Sequence, residues 1–296
     1  MLIFIYTLLT IGILQMIVNI WKYVGFLRSL RDVLSAGRGR IRFWKNIALV
    51  LLMFFLIAYL FITFKMKPDL MIAALLFSGS IFAAIMITIM FVLMNRTKAR
   101  SIDIAELLIG VIDARDPNLN GHSRHVQHLT MLIYEHLPYH EKHEINLISL
   151  EYAALMHDVG KLGVPERILN KPGRLDSDEW GIMKKHPQIG VNILEPLNSF
   201  SDIVPWILYH HERIDGSGYY GLKGSKIPLA SRIIAVADTY SAITMKRSYS
   251  EAGSHEEAIR IIRDVSGTQL DSEIVDIFCH IPEKLIFDCY PEQVKF

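Results

Sequence analysis

Seven side chains able to bind a metal stand in a fixed order along the later part of the chain: His122, the adjacent pair His157-Asp158, His186, the pair His210-His211, and Asp238. Imidazole nitrogen suits iron, zinc or manganese-like ions, and a carboxylate can bridge two of them. Two metals about 3.5–4 Å apart suit hydrolysis of a phosphodiester, because together they hold the attacking and the leaving oxygen. A lone His-Asp dipeptide is weak evidence. Here it comes with Val159-Gly160-Lys161, Lys171-Pro172-Gly173, His186-Pro187, the run 210–219 and Ala237-Asp238-Thr239-Tyr240, and the set as a whole is specific.

These ligands need helices to position them. Residues 152–156 read as the end of an apolar helix with His157-Asp158 at its last turn, and the glycines that follow turn the chain away so that both ligands can face one cavity. From about Asp116 onward, apolar residues recur with a period near 3.6, as at Val126, Leu129, Leu132 and Ile133, and strand-like alternation is scarce. The expectation is an all-α catalytic domain over residues 116–296, long enough to bury one sizeable core.

The first third is different. The chain has 296 residues, 51% of them hydrophobic, and a mean hydropathy of +0.29; the apolar excess lies before residue 95, which divides the chain in two. Three uncharged apolar runs, about residues 2–20, 47–64 and 70–94, reach the about 17–25 residues that a spanning helix needs. No basic segment precedes Leu2 and no small-residue cleavage site precedes Trp21, which argues against a cleaved signal peptide. Three such runs in succession also argue against buried helices of a soluble core.

Lys22, Arg28, Arg31, Arg38, Arg40, Arg42 and Lys45 crowd the segment between the first two runs, whereas only Lys65 and Lys67 lie between the second and third. The positive-inside bias therefore predicts a multi-pass protein of the cell membrane, with the N-terminus outside and the C-terminal domain in the cytoplasm. Trp21, Tyr23, Phe43 and Trp44 flank the basic segment as an aromatic belt would, and that segment is either a topology signal or a contact for anionic lipid headgroups. Residues 96–115 follow the third run without a Gly/Ser/Pro linker and read as a connecting helix. Such a helix can carry a displacement, form a homodimer seam together with the membrane region, or act as a passive tether. A net charge of +1, without a Lys/Arg stripe, points away from DNA or RNA as partners. Cys279 and Cys289 lack CxxC spacing and read as reduced, packed thiols.

From about residue 101 to 278 the chain resembles an HD-GYP domain, the bacterial branch of the HD phosphohydrolase superfamily. The matching pieces are Gly121-His122-Ser123, His157-Asp158-Val159-Gly160-Lys161, the run 210–219, Gly221-Leu222-Lys223-Gly224, Ile227-Pro228-Leu229 and residues 232–240. The resemblance implies hydrolysis of cyclic di-GMP to pGpG or GMP at two divalent metals, iron or manganese, with a hydroxide between them as nucleophile. It implies that His122, His157, Asp158 and Asp238 hold one metal, that His186, His210 and His211 hold the other, and that Asp158 bridges. Lys161 matches the lysine that neutralises the scissile phosphate, Arg247 the arginine near the second phosphate, and Tyr219 a substrate-contacting position.

Three departures stand out. The tripeptide Gly-Tyr-Pro is here Gly218-Tyr219-Tyr220, with the loop one residue shorter; Asn118 stands where three-metal members carry a Glu; Ser241 and Ser250 replace an Asp and a basic residue. The second departure points to two metals rather than three. The first supports a rival reading, a non-catalytic membrane receptor or scaffold for cyclic di-GMP or a partner protein. A nearer alternative is a hydrolase of another cyclic dinucleotide. His125, close to His122 on the same predicted helix, is a candidate to support that ligand, and Glu212, Arg213 and Asp215 read as loop-organising ion pairs.

Overall fold

Apolar runs without proline propagate as helix once nucleated, even through Gly12 and Gly79, and each extends past its uncharged stretch because backbone hydrogen bonding does not stop where the charges begin. A computed structural model describes residues 1–31, 38–66, 69–115, 121–245 and 252–291. Helix α1 spans Leu2–Arg31, α2 Arg38–Lys65 and α3 Leu70–Arg115. Within them, Leu2–Leu27, Asn46–Lys65 and Leu70–Arg96 are long and apolar enough to cross a membrane. The chain forms two compact units, Met1–Ser101 and Ile102–Phe296.

In the first unit large apolar side chains such as Phe54 and Phe82 face outward, while Leu9, Met16, Tyr59 and Ala73 form a narrow core. That inversion suits lipid, where burial between helices has no hydrophobic driving force and packing and hydrogen bonds take over. Asn19 is fully buried, and its Nδ2 donates to the Ser80 carbonyl at 2.8 Å while its Oδ1 accepts from Gln15 Nε2 at 3.0 Å. The link ties α1 to α3 and is worth about 0.6–2 kcal/mol in such a setting. The expected aromatic belt needs one correction. Tyr23 is buried and stacks on Phe26, so it packs within the bundle, whereas Trp21 is 76% exposed and Phe43 is also exposed.

The second unit begins with the last turns of α3 and continues through α4 (His122–His136), α5 (Tyr139–Lys142), α6 (Leu147–Met156), α7 (Glu166–Leu169), α8 (Ser177–Met183) and α9 (His186–Leu194). It ends with α10 (Val204–Leu208), α11 (Leu229–Thr244), α12 (His255–Asp264), α13 (Ser272–His280) and α14 (Glu283–Phe287). Its core is built from one face of each long helix: Ala105, Ile109 and Ile112 of α3, Val126, Leu129 and Ile133 of α4, and Ile233, Ile234 and Ala237 of α11. The 3- and 4-residue steps among them are the helical period read as burial. Among the described residues there is no strand, only an isolated bridge between Ser266 and Leu270, so the fold is all-α as expected. Both cysteines are free, Cys289 buried and Cys279 partly so.

Candidate metal centre

The His-Asp pair reaches its place through two glycines. His157 caps the C-terminus of α6, and a 3-10 helix over Val159–Gly163 follows Asp158. A Cβ on Gly160 would lie 1.8 Å from the His186 carbonyl oxygen and 2.5 Å from the Gly190 nitrogen. Hydrogen at those positions lets the 3-10 turn lie backbone to backbone on α9, which brings Asp158 up to His186. His210 and His211 arrive from the turn after α10, and His122 opens α4 after Gly121, whose φ of 79° only glycine adopts without strain.

Two groups of ligand atoms result, each lying within 4.8 Å: Asp158, His186, His210 and His211, and His122, His157 and Asp158. Asp158 belongs to both. Asp238 stands at the edge of the second group, its Oδ1 3.2 Å from His122 Nε2 and 3.9 Å from His157 Nε2, with its side chain 19% exposed. All seven residues singled out from the sequence are thus brought together by α4, α6, α9, α11 and the turn after α10.

The rings are aimed from behind. Nδ1 of His157 lies 2.8 Å from the Ala154 carbonyl, Nδ1 of His186 2.9 Å from that of Met183, and Nδ1 of His210 2.6 Å from that of Ile207. A carbonyl only accepts, so each Nδ1 carries the proton and each Nε2 turns a lone pair inward. His157 Nε2 and Asp158 Oδ1 are buried with no hydrogen-bond partner, although His186 Nε2 lies 3.2 Å from that same oxygen. Buried polar atoms are rarely left unsatisfied. Nitrogen and carboxylate donors that converge on one space fit a divalent metal.

His122 is aimed differently. Ser241 Oγ lies 2.9 Å from Nδ1 of His122 and 2.9 Å from Nδ1 of His125. One hydroxyl has one proton. With a metal at Nε2 of His122, Nδ1 would carry the proton and donate to Ser241, and Ser241 would in turn donate to His125. His125 is buried and stacks on Tyr290 at 4.2 Å, which gives this histidine the supporting role expected of it. Ser241 was visible in the sequence only as a departure; its spacing from Asp238 on one helix is the signal for its place behind the site.

Burial holds most of these histidines neutral. It lowers His122, lowers His210 well below the usual range, and brings His125 and His211 to about 3. Burial works against charge at His157 as well, but Asp158 and Asp238 beside it raise that group. Asp158 is held well below the ordinary carboxylate range: burial opposes this, and Lys161 and His157 overcome it. Neutral imidazole and ionised carboxylate are the forms a metal needs.

A stability prediction follows. A histidine whose folded pKa is lowered binds fewer protons than in the unfolded chain below about 6.5, so stability falls as pH falls. Each such histidine costs about 1.4 kcal/mol per pH unit between its unfolded and folded values, and His157, raised, offsets part of this. The metal-free protein is expected to melt at a clearly lower temperature at pH 5 than at pH 7. Equal melting midpoints at the two pH values would contradict the buried, neutral assignment.

Beside the ligands, Lys161 Nζ donates to Asp158 Oδ2 at 2.6 Å. Tyr219 lies over His211 with ring centroids 4.9 Å apart, and its hydroxyl is pushed up to about 12 by burial, then by Asp158 and Asp238. Its loop is organised by Glu212, whose buried carboxylate accepts from the backbone N–H groups of Tyr220 and Leu222 at 2.5 and 2.6 Å. Proline at position 220 would have no N–H to give. The Gly-Tyr-Tyr departure therefore replaces a ring constraint with a hydrogen bond, and Tyr219 still faces the ligands. Arg213 pairs with Asp215 at 2.9 Å, as the loop-organising reading expects. Arg247, Asn118 and Ser250 lie outside the described residues.

The sequence profile of the family described as HD domain matches residues 106–274. A cyclic di-GMP phosphodiesterase of Thermotoga maritima is 39% identical over 194 residues, covering 64% of this chain and 51% of its own length. The cyclic di-GMP phosphodiesterase response regulator RpfG of Xanthomonas campestris pv. campestris is 38% identical over 186 residues, 62% of this chain and 48% of that protein. A 3'3'-cGAMP-specific phosphodiesterase of Vibrio cholerae is 38% identical over 164 residues, 55% of this chain and 35% of its own length. The chain thus spans about half the length, or less, of these relatives. With more than half of its residues inside the matched profile, and the His157-Asp158 pair at the centre of its ligand cluster, the chain belongs to the HD domain family.

Proposed function

We propose that this protein is a metal-dependent phosphodiesterase that hydrolyses a cyclic dinucleotide, cyclic di-GMP in the first place, to pGpG or GMP. The observation that carries the proposal is the pair of buried ligand groups sharing Asp158, with the Lys161 ammonium against that same carboxylate. His122, His157, Asp158 and Asp238 would hold one divalent ion, and His186, His210 and His211 with Asp158 would hold the second; iron or manganese suits this mixture of imidazole and carboxylate. When bound, the metals supply positive charge to the phosphate oxygens and acidify the water that attacks.

The rest is done by the chain itself. The backbone carbonyls behind His157, His186 and His210 keep each Nε2 unprotonated and aimed. Lys161, bonded to Asp158, presents a cation that stabilises the negative charge building on the attacked phosphate. Tyr219 lies against His211 and borders that side of the site. Arg247 is assigned to the second phosphate on the resemblance alone. These groups read phosphate rather than base, so hydrolysis of a cyclic dinucleotide other than cyclic di-GMP is the second reading, favoured by the likeness to the Vibrio protein. The three apolar helices anchor the enzyme in a membrane, and the basic excess between the first two supports a catalytic unit in the cytoplasm.

The full-length protein, loaded anaerobically with iron or manganese, is expected to convert cyclic di-GMP to pGpG. Lys161→Ala should slow turnover about 10²–10³-fold while keeping its metal, since removal of one preorganised charge-stabilising group has that size. Binding of cyclic di-GMP by the loaded wild type without any turnover would favour the receptor reading instead.

A further inference from the structure

Helix α8 has seven residues, too few to be stable alone. It is held by a capping box: Asp176 accepts from the N–H of Glu179, and Glu179 accepts from the N–H of Asp176, each at 2.9 Å. Lys171 pairs with Glu179 and ties the same turn to the preceding loop. So the helix is firmly set, yet its largest side chain is left outside the core. Trp180 is 45% exposed.

The indole is not an isolated surface group. Its ring stands edge-to-face with Tyr219 at 6.4 Å, and Tyr219 in turn stands 4.9 Å from His211. Two ring contacts therefore lead from Trp180 to the ligand cluster. Lys184, one turn further along and exposed, places Nζ 5.9 Å from the Trp180 ring centre and 5.4 Å from that of Tyr219. Gly181, the next residue along the helix, faces open space, for a Cβ there would meet nothing within 4 Å. An exposed indole with a cation over its ring, linked through Tyr219 to a phosphate-directed centre, fits one class of ligand group, a purine base.

Resting on the cyclic-dinucleotide reading above, we propose that Trp180 and Lys184 form a nucleobase subsite that sets base preference. Stacking on an indole is tolerant of sequence, because every base has a π-face. Lys184 adds selectivity: an ammonium donates well to the O6 and N7 acceptors of guanine and poorly to the adenine edge, where an amino group takes the place of O6. Trp180 supplies affinity and Lys184 favours guanine over adenine.

The test compares wild type, Trp180→Ala, Trp180→Phe and Lys184→Ala as full-length, metal-loaded proteins. Trp180→Ala should raise KM for cyclic di-GMP about ten-fold, the size of one lost base stack, with kcat and metal content unchanged; Trp180→Phe should stay near wild type. Lys184→Ala should narrow the preference for cyclic di-GMP over cyclic di-AMP. Equilibrium dialysis of cyclic di-GMP against chelator-treated protein gives the same ranking without turnover. A Trp180→Ala protein with wild-type KM overturns the subsite whatever the dialysis shows, and leaves the phosphodiesterase standing. A loaded wild type that neither binds nor hydrolyses any cyclic dinucleotide overturns both.

Discussion

Asp158→Ala is expected to strip the protein of metal at both groups and to reduce turnover to background, beyond the about 10³-fold that loss of a single charge-stabilising donor costs. The residue is shared by both ligand clusters, so one substitution removes a donor from each. It also leaves Lys161 facing the histidines without the carboxylate that now neutralises it at 2.6 Å. Asp238 at the edge of one group would then be the single carboxylate left to offset the charge of any bound metal and of Lys161. Elemental analysis after anaerobic purification should find about two metals per wild-type chain, as two-metal chemistry requires. His211→Ala, which touches one group only, should keep roughly one. If Asp158→Ala retained more metal than His211→Ala, the bridging assignment would fail.

Gly160→Ala should do comparable damage by a different route, without touching a ligand. The new methyl would meet the His186 carbonyl oxygen and the Gly190 nitrogen, and both are backbone atoms of α9 that no rotamer change can move aside. Overpacking of this kind costs about 3 kcal/mol or more. In a unit of this size that lowers the melting midpoint by roughly 6–12 °C. The same displacement carries Asp158 away from His186, so metal content should fall as well. Gly163→Ala is the control. Its methyl would meet Ile189 Cγ2 at 2.7 Å, a side chain that can rotate, and the cost should be visibly smaller. A Gly160→Ala protein that melts with wild type and keeps its metal would show that the close approach does not position the site.

Much of this molecule is written in its residue order, and the parts that are not share a physical cause. The seven candidate ligands are legible because histidine and aspartate beside glycine, lysine and proline are rare company in an ordinary helix. The three apolar runs are legible because lipid imposes length and composition together. The direction of Tyr23 was not: an aromatic ring beside a basic segment reads as interfacial until Phe26 and the neighbouring helices turn it inward. Nor was the pairing of Ser241 with His122, which joins residues 119 positions apart through a single oxygen. The role of Tyr220 was hidden for a subtler reason. Its contribution to the loop is a backbone N–H, which every residue but proline possesses and no side-chain pattern announces.

The carbonyls behind His157, His186 and His210 each belong to the residue three places earlier in the chain. Ring direction at these ligands is therefore a short-range property of a helix end, settled by the same turn that carries the histidine. A centre assembled from self-aimed pieces asks little reorganisation of an arriving ion, so uptake should be fast, and ring aiming of this kind adds no preference between iron and manganese. Which metal the protein carries is then decided by what the surroundings supply. Growth in manganese or in iron should leave the same scaffold charged with either.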